Sequence, residues 1–99
     1  MDKPLTVNTA RPIYEIAQEI YKEWPTVNVA AAPYLEAMTT MNQITETFGV
    51  ESCSDILDRF LVNAATWRGE SARRIKAELK KMSALAYKLR YAKTRVGAR

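Results

Sequence analysis

The sequence predicts an all-α fold, a small bundle of about four helices ending in a long, basic C-terminal helix. Three observations predict it. Apolar residues recur at helical spacing in four separate segments, prolines and glycines fall where those segments begin or stop, and nothing suggests a strand longer than three residues. The chain has 99 residues, of which 47% are hydrophobic and 26% charged, which is the composition of one ordinary globular core and not of a disordered polypeptide.

Residues 1 to 10 carry Pro4 and no periodic pattern, and read as a flexible N-terminal arm; residues 11–99 read as one helical domain. From Pro12 to Trp24 the residues Ile13, Ile16, Ala17, Ile20 and Trp24 mark one helical face, with Thr9 or a neighbour as the cap. Pro25 stops this helix by disfavouring the helical conformation at Trp24. A second helix is expected to open with Asn28 as its cap and Pro33 near its first turn. It presents Tyr34, Leu35, Met38 and Met41 and extends through Ile44 to Phe48, although the run TTMNQITET weakens that extension. Gly49 then terminates it, with Val50 folding back on the last turn.

Ser52 and Asp55 form a capping-box-like pair ahead of Ile56, Leu57, Phe60, Leu61 and Ala64, the clearest helix in the chain. After a break at Thr66 to Gly69, a fourth helix carries Ala72, Ile75, Leu79, Met82, Ala86 and Leu89 inward. From Glu70 to Arg95 it would run about 39 Å, longer than a domain of this size is wide, so residues 90–99 are expected to project or fray.

Histidine is absent and Cys53 is the only cysteine, which removes zinc sites, Cys–His nucleophiles and Ser/His/Asp catalysis. Only three glycines are present and no glycine-rich phosphate loop, so neither catalytic residues nor cofactors nor metals are expected. A single thiol fits a reducing compartment. No apolar run reaches the roughly 20 residues of a membrane span, and the first residues lack the apolar block of a secretory signal. A cytoplasmic protein with no membrane partner is the expectation.

Charge divides the chain near residue 67. Four basic residues against nine acids precede it, a balance of −5; eleven against two follow it, a balance of +9. On a helical projection Arg73, Arg74, Lys76, Lys80, Lys81, Lys88 and Arg95 lie opposite the apolar stripe, with Tyr87 and Tyr91 among them. Such a face admits a solvated helix surface, in part neutralising the Glu15, Glu19 and Glu23 ladder, a protein partner, or nucleic acid held through phosphate contacts and base stacking. Ala65, Gly69 and Ile75 have helix-turn-helix spacing, which would put Arg73, Arg74 and Lys76 on a recognition helix, but Arg68, Glu70 and Glu78 stand where that motif wants apolar side chains. Trp67 and Arg68 beside Gly69 read as a packed corner, or as a partner-binding hot spot. Leu85, Leu89 and Val96 would pair in a homodimer through the last helix.

The stretch from Ala32 to Met82, with PYLEAM and then FLVNAATWRGESARRIKAEL after a glycine-containing turn, resembles a family of short hypothetical proteins encoded by tailed phages and prophages. The resemblance covers about half of the chain directly, and residues from about Ser83 onward extend past the family's usual end. It implies a bacterial host cell and a small non-enzymatic binding module for a host or phage protein. It supplies no established activity and no site residues to carry over.

Overall fold

A computed structural model of the chain describes residues 11–98, with side chains described through Leu89. Four helices form most of it: α1 Ile13–Glu23, α2 Ala32–Met38, α3 Cys53–Val62 and α4 Glu70–Ala98. Between α2 and α3 lies a two-stranded antiparallel ladder, β1 Thr47–Phe48 with β2 Glu51–Ser52. The expected helical domain is present, with a small hairpin added to it.

Helix α1 buries Ile13, Ile16, Ala17 and Ile20 on one face. Pro12 is its N-cap and offers no side-chain hydrogen bond; Thr9, expected as the cap, lies outside the described residues. The first amides are satisfied by a distant loop instead, since Ile13 N donates to Asn42 O at 3.1 Å and Tyr14 N to Met41 O at 2.8 Å. At the other end Trp24 leaves the helical region at φ −123°, ψ 80°, as the following Pro25 requires.

Asn28 acts one turn ahead of α2. Its Oδ1 accepts from Ala30 N at 2.9 Å and its carbonyl from Ala31 N and Ala32 N, so the regular helix begins at Ala32 with Pro33 in the first turn. The extension of α2 to Phe48 does not form. Thr39 Oγ1 donates to Glu36 O at 2.6 Å and Thr40 Oγ1 to Ala37 O at 2.8 Å, and the backbone tightens to i→i−3 bonds at Thr40 and Met41. These hydroxyls compete for the carbonyls a longer helix would need. Met41 and Ile44 are buried all the same.

Gly49 therefore does not end a helix. It occupies the hairpin turn at φ +65°, with Val50 beside it at negative φ, the pattern of a type II′ turn. Ser52 then caps α3, its Oγ accepting from Asp55 N at 3.2 Å, and Cys53, Ser54, Ile56, Leu57 and Phe60 turn inward. Asn63 Nδ2 closes the far end on Arg59 O at 2.8 Å.

The connection from Asn63 to Gly69 is longer than a helix-turn-helix turn, and Ala65 is exposed and outside both helices. The motif needs that small residue buried in the first helix, so the expected helix-turn-helix does not form here. Helix α4 lays Ala72, Ile75, Leu79, Met82 and Ala86 against the core; Leu89, expected to face inward, is 40% exposed. Ser83 Oγ donates to Asp58 Oδ1 at 2.5 Å and ties α4 to α3. Among the described residues no helix is long and apolar enough to cross a membrane.

Replacing Ser52 by Ala should cost about 1 kcal/mol in urea-unfolding free energy through loss of the α3 cap. Val50→Ala, at a wholly exposed position, should stay within about 0.5 kcal/mol of the parent.

Candidate functional site

Two flanks of α4 are committed to the fold, and they define what is left for a partner. On the first, Trp67 stacks on Trp24 at 5.3 Å with an interplanar angle of 8°, and Phe60 meets Trp24 edge-on at 6.3 Å. Lys76 Nζ donates to Trp67 O at 2.6 Å and lies 5.9 Å from the ring centroid. Burial, then the neighbouring Arg68 and Lys80, hold the Lys76 ammonium below its ordinary pKa. Trp67 is 4% exposed. It is a core residue and presents no surface to a partner, which corrects its place among the binding candidates; Arg68 beside it is exposed.

On the second flank the acidic ladder of α1 meets α4. Arg11 straddles Glu78, Nε to Oε2 at 2.9 Å and Nη2 to Oε1 at 2.8 Å, and the same Nη2 donates to Glu19 Oε1 at 2.6 Å. Arg74 Nη2 donates to Glu19 Oε2 at 2.6 Å, and Ser71 Oγ to Glu23 Oε1 at 3.1 Å. Glu19 therefore sits between two guanidiniums, and the Arg74 bond followed by the Arg11 bond holds its carboxyl below the usual range. The hydrogen bond to Glu78 does most to hold Arg11 in its charged form, and that to Glu19 does the same for Arg74.

Arg74 and Lys76 are thus occupied inside the molecule. Arg73, Lys80, Lys81 and Lys88 remain exposed on the outer face, and none has an ion pair among the described residues. They form two rows, Arg73 with Lys80 and Lys81 with Lys88, each spaced seven residues or about 10.5 Å, with the small residues Ala77 and Ala84 exposed between them. Tyr87 is 54% exposed along the same face. Tyr91 and Arg95 belong to α4, but their side chains, like that of Val96, lie outside the described residues. Of the residues expected to pair two copies, Leu85 is half-buried against the core and Leu89 stands out from it.

A second feature was not legible in the sequence. The hairpin and α4 enclose a crevice of about 230 Å³, lined on its apolar side by Ile44, Val50, Cys53, Ala86 and Leu89. Val50 is fully exposed at its edge. Glycine flanked by Thr47-Phe48 and Val50 is the hairpin signal that could have revealed it. Cys53 is buried at the crevice floor, and desolvation, with smaller contributions from Glu46 and Asp58, pushes its thiol up to about 12. Among the described residues no group of three or more Cys, Asp and Glu is placed to hold a metal ion.

Compared with known protein families, curated proteins and solved structures, the chain matches none.

With its thiol protonated and buried, Cys53 should resist a disulfide exchange reagent such as dithionitrobenzoate at pH 8 in the native state and react on unfolding in urea. Glu19→Gln should destabilise the protein by about 1 kcal/mol at pH 7. Because the folded carboxyl titrates below its ordinary 4.5, this stabilisation is present above that value and lost as pH falls through the folded pKa. The difference between parent and variant should shrink over that acid range in pH-resolved denaturation.

Proposed function

We propose that the chain is a small non-enzymatic helical binding module of phage or prophage type, acting in the bacterial cytoplasm by docking a host or phage protein along α4. The observation that carries this reading is the set of four outward cations, Arg73, Lys80, Lys81 and Lys88, that remain unpaired among the described residues after the fold has used Arg11, Arg59, Arg74 and Lys76. Glu19 takes Arg74 and the Trp67 carbonyl takes Lys76, while the four outer cations have no ion pair among the described residues. A partner with an acidic surface supplies one, and complementary charge raises association rates and fixes register.

The exposed apolar residues at the end of this face favour a protein over a polynucleotide. Leu89, which follows Lys88 in the chain, and Val50 are exposed, and protein interfaces join apolar centres to polar rims. A phosphate backbone gains nothing from them. The absence of enzymatic chemistry is argued from the side chains available: no histidine, and one cysteine held as a buried thiol.

Nucleic acid is the second reading, favoured by the two cationic rows with the exposed Tyr87 on the same face. Its binding would fall by about 0.9 log units per log of salt for each duplex phosphate contacted.

Affinity capture from a bacterial lysate, comparing the parent with a variant carrying Arg73, Lys80, Lys81 and Lys88 changed to Glu, tests the leading reading. Specific proteins should be retained by the parent and lost with the variant. Equal retention by both, or retention only of nuclease-sensitive material, overturns it.

A further inference from the structure

The crevice between the hairpin and α4 has the size of a side-chain site. Its volume of about 230 Å³ falls short of the roughly 300–1,000 Å³ of small-molecule and cofactor sites. Ile44, Cys53 and Ala86 are buried along its floor, and Val50 and Leu89 are exposed at its rim. This part of the lining suits a hydrocarbon stem.

The polar part of the lining carries one sign of charge. Glu46 is the charged residue that lines the crevice, and it is half-buried. Its Oε1 accepts from Asn42 N at 2.8 Å, which leaves Oε2 without a partner among the described residues. No described cation stands opposite it. Arg59 is paired with Glu51 at 3.1 Å, and Lys81 and Lys88 lie about 140–160° round the helix from Ala86. After desolvation it is Glu46 and Asp58 that raise the Cys53 thiol, and no described cation opposes them. The hydroxyls of Ser52 and Ser54 face each other at 3.3 Å, and Ser52 also caps α3. Those of Thr45 and Thr47 have no hydrogen bond among the described residues. One carboxylate oxygen and two hydroxyls are therefore open to a donor.

An apolar floor beside an open carboxylate matches a side chain with a hydrocarbon stem and a cationic head. Lysine fits better than arginine. Its ammonium is a compact charge with three donors, whereas the guanidinium fork pairs best with both oxygens of a carboxylate, and Asn42 already holds one of them.

We propose that this crevice receives a lysine side chain from a basic segment of a protein partner, with the stem against Ile44, Ala86 and Leu89 and the ammonium on Glu46. The inference does not rest on reading α4 as a docking face, since none of the four outward cations takes part in it.

Methyl and amide NMR titration of the full chain with a blocked peptide Gly-Gly-Lys-Gly-Gly, and with counterparts carrying norleucine or glutamate in place of the lysine, tests it. The lysine peptide should shift the Ile44 and Leu89 methyls and the Glu46 amide. It should bind about fivefold or more tighter than the norleucine peptide, which keeps the stem and lacks the charge. Glu46→Gln retains an acceptor for Asn42 N and should abolish that preference. Glu51→Gln, at a position that does not line the crevice, should keep it. Leu89→Ala, at the exposed rim, should weaken the lysine and norleucine peptides alike.

The proposal is overturned if the lysine peptide moves none of these signals at millimolar concentration, if norleucine binds as well as lysine, if glutamate binds more tightly, or if Glu46→Gln keeps the preference. It is also overturned if Lys3→Ala or Lys93→Ala shifts the Ile44 methyls with no peptide present, which makes the chain itself the occupant. A dimer in light scattering that Glu46→Gln converts to monomer makes a second copy the occupant and overturns it too. Each of these failures leaves the α4 reading standing, because the capture lost on four-site charge reversal is measured separately.

Discussion

The stack of Trp24 on Trp67 is the contact on which the arrangement of the helices depends. Trp24 is the residue at which α1 stops, and Trp67 closes the connection from α3 to α4, so the two rings join chain segments more than forty residues apart. Phe60 brings α3 into the same cluster, and Lys76 brings α4. An aromatic pair of this kind contributes ~0.5–1.5 kcal/mol beyond its area burial. Its geometric effect is larger, because it sets how α4 is rotated about its own axis. Lys76 is turned to Trp67 and Arg74 to Glu19. The two are only two residues apart, but about 200° apart around the helix, and what lies between them on the outside is fixed in consequence.

This rotation redistributes the charge that the sequence divides so sharply. The acidic amino-terminal part and the basic carboxyl-terminal part are not two separate electrostatic regions, since Arg11, Glu19, Arg74 and Glu78 interleave them along one seam. Each acid of the seam has a guanidinium, and Glu19 has two. Arg73, Lys80, Lys81 and Lys88, beyond the seam, belong to the outer face. A net charge of +4 therefore understates how one-sided the surface of α4 is.

Helices α1, α3 and α4 were legible because their apolar residues repeat at three and four and their caps are local: Pro25 after α1, Ser52 before α3, Gly69 before α4. The end of α2 was not. Met38, Met41 and Ile44 are all buried and spaced by three, which imitates a helical face, but the threonine hydroxyls take the carbonyls and the backbone turns away. Gly49, expected to end α2, takes its positive φ in the turn of the hairpin. The cationic face could be read from spacing alone, whereas the separation of Arg73 from Arg74 could not, because it depends on where Glu19 of another helix lies. The packed corner at Trp67 could be read locally, but its partner Trp24 and the crevice could not, because both are defined by residues distant in the chain.

The amides that open α1 are held by the carbonyls of Met41 and Asn42. The segment after α2 has no regular structure at those residues, and by appearance it would be a place where homologues gain and lose residues. Shifting its register by even one position would strip a helix elsewhere in the chain of its only described cap. Length variation should instead collect at Thr26, which is exposed and lies outside every helix and strand.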